Sequence, residues 1–341
     1  MKINKTNLQQ ALEIVKPGLS NNEIIEQSTS FAFFGDRVVT YNDSISLSCP
    51  VEHLNLTGAI RAEELYKFLR QIEKEEIQVK SSENEIKLKS GNARAGIRLE
   101  KEVKLPIEEK GNIDPTGWKS LPEDFIEDLD FIKDGASKDM SRRVLTCVHV
   151  RKGILETSDG YQIMRVNLDS ENSFPYPGTL IPAENISEII KVEPSQIFLT
   201  DGWLHFKNQQ DVVISCRILE DSFPDTDSFF DIEGDKLIFP KKMTKILDRV
   251  TVFTKKDHLV DEEMQIILDN NKLMVKGSND YGWFKEVAPV KYKGQRVSFW
   301  IAPYLLKNIL KRSNECRLGN EKIKFEGSGW EYVAVLREGD E

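Results

Sequence analysis

Apolar residues along the chain keep two rhythms, one of three and four residues and one of two, and the pair of rhythms recurs three times. The first rhythm opens each time on an Ala or on a Pro beside an Ala. Ala59-Ile60-Arg61-Ala62 leads into Leu65, Phe68, Leu69 and Ile72. Leu180-Ile181-Pro182-Ala183 leads into Ile186, Ile189 and Ile190, and Trp300-Ile301-Ala302-Pro303 into Leu305, Leu306, Ile309 and Leu310. Spacing of three and four keeps such side chains on one side of a helix turning 100° per residue, so a helix with one buried face is predicted at each place. Ala62, Ala183 and Ala302 lie 121 and 119 positions apart, which sets the length of the repeat.

Alternating runs follow each helix: Ile77/Val79 with Ile86/Leu88, Ile197/Leu199 with Leu204/Phe206, and Cys316/Leu318 with Ile323/Phe325. A period of two places alternate side chains on one face of a strand, so each pair predicts two strands with one buried face. The first half of every repeat carries the same plan, with a helix near residues 5–16, 122–133 and 240–250. Hairpin-like strands follow these helices, punctuated by turns around Asp43, Asp159-Gly160 and Asn279-Asp280. Helix and strands written twice per repeat predict six helices and six small antiparallel sheets, an α+β architecture with no parallel crossover pattern. The pattern lapses at residues 104–117, which hold Pro106, Gly111 and Pro115, and at residues 221–235, which hold Pro224 and Gly234. Three domains are therefore expected, over residues 1–112, 113–232 and 233–341.

Composition narrows the classes. No stretch approaches the roughly 18 apolar residues of a membrane span. Behind Lys2 and Lys5 stand Asn7, Gln9, Gln10 and Glu13 where an export signal needs an apolar core. A cytoplasmic protein with no membrane partner is expected. Cys49, Cys147, Cys216 and Cys316 form no CxxC pair and read as buried thiols, and His53, His149, His205 and His258 are as scattered. Neither set predicts a metal or cofactor.

A net charge of −9 argues by itself against a nucleic-acid partner. Its distribution changes that picture. On the helix after Ala62, Lys67, Arg70 and Lys74 cluster opposite the apolar stripe. The helix after Pro240 buries Met243, Ile246, Leu247 and Val250 and turns Lys242, Lys245 and Arg249 the other way, and Lys307 and Lys311 stand one turn apart opposite Leu305, Leu306 and Ile309. Long cationic side chains on helices reach phosphates without reading bases, which suits a protein that holds DNA and still moves along it. The helix near residue 125 is different, since Glu123, Asp124, Glu127, Asp128 and Asp130 make it acidic. A solvated acidic face outweighs a divalent-metal site there.

The threefold repeat and its helix openings resemble the β subunit of bacterial DNA polymerase III, the sliding clamp, over essentially the whole chain. The stretches that carry the resemblance are Ser137-Lys138-Asp139 through Arg143-Val144-Leu145-Thr146, then Leu155-Glu156-Thr157-Ser158-Asp159-Gly160-Tyr161, then Leu219-Glu220-Asp221-Ser222-Phe223-Pro224-Asp225. They look like the family's run into its second domain, its Thr-Asp-Gly-His-Arg turn and its Phe-Pro-Asp linker. The resemblance implies the DNA-clamp fold, with two helices on the inner side and antiparallel sheets on the outer side of each repeated domain. It also implies a head-to-tail homodimer ring around double-stranded DNA, bound without sequence preference.

DNA polymerase and clamp loader are the implied partners, held through short peptide motifs in a pocket whose matching positions are Leu145, Ser158, Gly160, Tyr161, Gln162, Ile163, Pro224, Phe229, Tyr304, Val333 and Val335. Ring closure in the family maps to Ala95 and Ile97 against Val252 and Phe253. The chain departs from the family at Tyr161-Gln162, where His-Arg is usual, at Ser228-Phe229, where a basic-aliphatic pair is usual, and at Val335-Leu336-Arg337, which lacks the Met-Pro-Met ending. It is also shorter than most bacterial clamps, as a phage or mobile-element version would be.

No nucleophile with a neighbouring base, phosphate-binding glycine loop or metal-ligand cluster stands out, so no catalytic activity is expected. Two other readings compete. One is an acidic protein-interaction scaffold of the same fold that never encircles DNA; the other is a carboxylate-based hydrolase using pairs among Asp124, Asp128, Asp159 and Asp201.

Overall fold

The computed structural model describes residues 1–107, 116–168 and 174–338. The expected first boundary at 112/113, with Gly111 and Pro115, lies outside the described residues.

The chain opens with β1 (Lys2–Asn4), α1 (Lys5–Val15), β2 (Ser30–Gly35), β3 (Arg37–Tyr41), β4 (Ile45–Pro50) and β5 (Leu56–Arg61). It continues through α2 (Ala62–Gln71), β6 (Glu76–Ser81), β7 (Glu85–Ser90), β8 (Ala93–Arg98) and β9 (Lys119–Ser120). Then come α3 (Phe125–Ile132), β10 (Cys147–Arg151), β11 (Ile154–Ser158), β12 (Gln162–Asn167), β13 (Thr179–Pro182) and α4 (Ala183–Val192). β14 (Gln196–Thr200), β15 (Trp203–Lys207), β16 (Val213–Arg217), β17 (Asp235–Ile238) and α5 (Met243–Thr254) follow. The last elements are β18 (Met264–Asp269), β19 (Lys272–Asn279), β20 (Gly282–Pro289), β21 (Lys291–Tyr292), β22 (Val297–Ile301), α6 (Pro303–Lys307), β23 (Glu315–Leu318), β24 (Lys322–Gly327), β25 (Trp330–Val335) and β26 (Arg337–Glu338). No described helix is long and apolar enough to cross a membrane.

Local chemistry explains where the helices begin and end. Asn4 accepts the backbone N–H of Asn7 at 3.0 Å and so caps one of the donors that the first turn of α1 leaves unpaired. α2 carries Glu63 and Glu64 in its first turn and Arg70 in its last, each sign at the end that the helix dipole favours. Pro303 stands at the start of α6, where its missing N–H costs nothing. Most of the predicted stripes are buried: Leu65, Leu69 and Ile72 behind α2, Ile186 and Ile189 behind α4, Met243, Ile246, Leu247 and Val250 behind α5, and Leu305, Leu306 and Ile309 behind the α6 region, while Phe68, Ile190 and Leu310 are half-buried.

Two compact units emerge. The first comprises Met1–Asp130 and Phe174–Glu220, the second Phe131–Ser173 and Asp221–Glu341. In the first unit, β1-β6-β7-β8 form one sheet and β5-β2-β3-β4-β16-β15-β14-β9 another. In the second, β10-β11-β12-β25-β24-β23-β17-β21 run edge to edge, and β20-β19-β18-β22-β26 form a separate sheet. Among the described residues the pairings are antiparallel, and the strands predicted to pair are neighbours, with Val79 opposite Leu88, Leu199 opposite Leu204 and Cys316 opposite Phe325. The architecture is α+β, but among the described residues the six expected sheets are four. β16 pairs with β4 and β12 with β25, so sheets from different stretches of the chain fuse along edges that would otherwise leave backbone groups unpaired.

One detail repeats with the period of the sequence. Thr40 donates to the carbonyl of Val15 at 2.5 Å, and Thr157 donates to that of Ile132 at 3.0 Å, so each satisfies the last residue of α1 or α3. Gly18 and Gly135 make room, since a Cβ would lie 2.3 Å from Thr40 Oγ1 in one case and 2.4 Å from Thr157 Oγ1 in the other. At α5 the two roles are exchanged. Thr254 sits on the helix and Gly277 on the facing strand, where a Cβ would meet Thr254 Cγ2 at 2.6 Å.

Candidate functional site

The second unit contains a turn built by side-chain hydrogen bonds. Asp159 Oδ1 accepts the backbone N–H groups of Tyr161 and Gln162 at 2.8 and 2.9 Å, and Ser158 Oγ accepts that of Gly160 while donating to the carbonyl of Gln162. Gly160 has φ +89°, a left-handed conformation that glycine adopts without strain, and a Cβ there would also strike the Arg142 guanidinium. The second Asp159 oxygen accepts from Gln162 Nε2 at 2.9 Å and from the Tyr304 hydroxyl at 3.0 Å. That last bond ties the turn to α6. Tyr332 adds a second tie, its hydroxyl lying between Gln162 Oε1, at 2.8 Å, and the Leu305 carbonyl. Burial, reinforced by the Asp159 carboxylate, drives the Tyr304 phenol well above its ordinary pKa, and burial does the same to Tyr332. Both therefore remain proton donors.

Beside this turn lies a small hollow open to solvent, walled by Tyr161 and Val335 together with Val260, Ile301, Ala302 and Leu305. Trp300 and the Glu263–Arg337 ion pair complete it. Its mostly apolar walls suit a side chain of a peptide better than a cofactor. Of the positions expected for a pocket, Tyr161 and Val335 line the hollow, while Ser158, Gly160, Gln162 and Tyr304 build the turn and tie beside it. Ile163 and Val333 instead pack with Phe230 in a buried cluster. Leu145 is half-buried, and Pro224 and Phe229 are exposed, with Lys322 Nζ 5.1 Å above the Phe229 ring. Sequence reasoning did not place Val260, Glu263 and Trp300 at a pocket, because they lie far from the turn along the chain.

A buried ionic cluster, also missed, fixes the segment that carries Phe229 and Phe230. His149, Glu156 and Arg165 stand opposite one another across β10, β11 and β12. Glu156, 1% exposed, accepts from Arg165 at 3.0 Å and from Thr226 at 2.7 Å, and lies 2.9 Å from His149 Nδ1. Arg165 also reaches Asp227 at 2.6 Å, Arg151 grips the same carboxylate with two nitrogens, and the Arg165 guanidinium lies 4.2 Å from the centre of the Phe230 ring. Burial alone would raise the Glu156 carboxyl. The hydrogen bonds from His149, Thr226 and Arg165 outweigh it and hold the group below its usual value. Arg151 and then Arg165 hold Asp227 at about 2. A signal was present, since a charged residue on each of two adjacent apolar strands calls for a partner.

The cationic residues divide. Lys67 and Arg70 lie on the exposed side of α2, Lys245 and Arg249 on that of α5, and Lys307 on that of α6. Lys242 precedes α5 as its cap, and Lys311 sits in the short 3-10 turn after α6. Lys74 does not share the α2 face. The helix ends at Gln71, Ile72 turns extended, and the Lys74 chain lies over Gly91 at the β7–β8 turn. Several cations have acidic neighbours: Lys67 with Glu63 at 2.5 Å, Arg249 and Lys242 with Glu286 at 2.6 and 3.5 Å, and Lys307 with Asp248 at 2.6 Å.

Each unit has an open sheet edge at the residues expected to meet a second copy. β8, with Ala95 and Ile97 half-buried, ends one sheet, and β20 ends another. Val252 on α5 is 66% exposed, and Phe253 stacks on Phe284 of β20 with ring centres 6.3 Å apart.

This architecture is that of solved sliding clamps. The chain superposes on a DnaN sliding clamp, DNA polymerase III subunit beta, from Bartonella birtlesii bound to griselimycin, with TM-score 0.86, 16% identity and 99% of each chain covered. It superposes on the DNA polymerase beta subunit of Streptococcus pyogenes with TM-score 0.85, 16% identity and 99% of each chain, and on the DNA polymerase III subunit beta of Pseudomonas aeruginosa with 0.82, 14% and 99%. Identities this low establish a shared fold, and the chain has the sliding-clamp fold. No protein-family model and no curated protein sequence matches it.

Proposed function

We propose that this chain is a DNA sliding clamp, a non-enzymatic processivity factor that encircles duplex DNA as a homodimer ring and tethers DNA polymerase and clamp loader through short peptides. The observation that carries the reading is the likeness of fold along 99% of the chain and of the solved clamps. Three features support it. Lys67, Arg70, Lys242, Lys245, Arg249, Lys307 and Lys311 are exposed or lie on helix ends where phosphates are reachable, and their loose, sequence-independent contacts suit sliding. The hollow beside Tyr161 and Val335 offers apolar walls to a peptide anchor. The edges β8 and β20, with Ala95, Ile97, Val252 and Phe253 nearby, suit closure by a second copy, because a bare strand edge gains hydrogen bonds when another strand covers it. The reading includes three clamp domains over residues 1–112, 113–232 and 233–341 and a cytoplasmic site of action.

Lys67→Glu, Lys242→Glu, Lys245→Glu and Lys307→Glu together are expected to abolish retention on nicked circular DNA after loading, measured by co-elution in gel filtration. Undiminished retention would falsify the assignment of these residues. The pairing of Lys67, Lys242, Arg249 and Lys307 with Glu63, Glu286 and Asp248 favours a second reading, an acidic scaffold of the same fold that does not hold DNA. The same assay separates the two, because a scaffold leaves the wild-type chain unretained.

A further inference from the structure

We propose that the outward face of the β1-β6-β7-β8 sheet binds the phosphate backbone of nucleic acid, at a site separate from the helix cations. The inward face of this sheet is closed by Ile3, Ile77, Val79, Ile86 and Leu88, all buried. The alternate positions point outward, and Lys2, Lys80, Lys87, Lys89, Arg94 and Arg98 are among them. The acidic residues that these strands carry on that face are Glu76 and Glu85, and Glu100 reaches Arg98 from just beyond β8. In a chain of net charge −9 this is a local reversal of sign.

The register makes the reversal costly. Lys80 stands directly opposite Lys87, and Lys89 directly opposite Arg94. Like charges at directly opposed positions destabilise a sheet. Lys2 finds Glu76, Lys87 finds Glu85 and Arg98 finds Glu100. Lys80, Lys89 and Arg94 pair with no carboxylate among the described residues. Protection of a bare edge does not account for Lys80 and Lys89, because β6 and β7 are interior strands with partners on both sides.

The chemistry of the face selects the occupant. Strands stand ~4.8 Å apart and same-face residues ~6.8 Å apart along a strand, so the cations form a flat grid that an extended polyanion can follow. No aromatic or large aliphatic side chain points outward from these four strands. A protein partner would find no buried anchor there, and bases would find nothing to stack on, which leaves phosphates as the matching group. Lys74, displaced from α2 to the β7–β8 turn, adds a further cation at the end of the grid.

The test is fluorescence anisotropy of the full chain with a labelled oligothymidylate and, in parallel, a labelled duplex. Lys80→Gln, Lys87→Thr, Lys89→Gln and Arg94→Thr together are expected to lower affinity for the single strand at least ~tenfold at low salt. The slope of log K against log salt should fall by about 3, from four cations at roughly 0.7 each. Lys80→Arg, Lys87→Arg and Lys89→Arg keep the charge and should keep both quantities. Unchanged affinity and slope in the neutral variant, or loss of binding in the arginine variant, overturns the proposal, as does sheet-dependent binding of polyglutamate in place of either nucleic acid. The helix variant Lys242→Gln, Lys245→Gln and Lys307→Gln should keep most of its oligothymidylate binding, whereas retention on circular DNA depends on those helix residues, so the sheet site and the ring can fail independently.

Discussion

Around Glu156 each charged head meets one of opposite sign, whereas on the outward face of the β1-β6-β7-β8 sheet cations stand opposite cations. Glu156 and Arg165 are 1% and 8% exposed, and Arg165 and Arg151 share Asp227 between them. Lys2 and Lys87 of the sheet face have side chains 67% and 66% exposed. The difference follows from solvent. A buried charge loses its hydration and needs a compensating partner, while water and salt screen exposed charges so well that a like pair costs only a fraction of a kcal/mol to about one. Structure dictates the sign of neighbours only where water is absent. Elsewhere, function can set it.

The comparison breaks first at Arg165. Arg165→Met removes one partner of a buried carboxylate and is expected to destabilise the second unit by about 3–5 kcal/mol, read as a lower denaturation midpoint. A cost near zero would mean that Glu156 is already neutral or reached by water. The next effect is in pH. The Asp227 carboxyl is held at about 2 against an ordinary 3.8, and Glu156 is held below its ordinary 4.5. Both are depressed in the folded state, so their contribution is complete above the ordinary values and is lost as pH falls through the depressed ones. Denaturant midpoints measured from pH 5 to about 2 should therefore fall, and fall less in Asp227→Asn. The smallest effect is on the sheet face, where Lys80→Thr should raise stability by about 0.2–1 kcal/mol by relieving Lys87, with the gain shrinking as salt rises toward 1 M. The Arg165→Met cost should hardly respond to salt, and equal salt sensitivity at both sites would erase the distinction.

Much of the fold was legible in the chain. The helix openings at Ala62, Ala183 and Pro303 and the strand partners around Leu88, Leu204 and Phe325 are where periodicity puts them, because burial of one face is a local requirement on spacing. The reach of each helix was less legible. Lys74 has the correct phase for α2, but Ile72 leaves the helix before it. The turn at Asp159-Gly160 was readable from its residues, but its tie to Tyr304 spans 145 positions, and the walls Val260 and Trp300 come from separate strands and loops.

The sequence by itself determined which face of each element turns inward, because hydrophobic burial acts on side chains that a helix or strand brings to one side regardless of what lies across from them. Only the tertiary structure decided what those elements meet. Fusion of six expected sheets into four, the row of His149, Glu156 and Arg165, and the opposition of Lys80 to Lys87 all depend on register between segments. Register is set by the packing of many residues at once and leaves no mark at any single position.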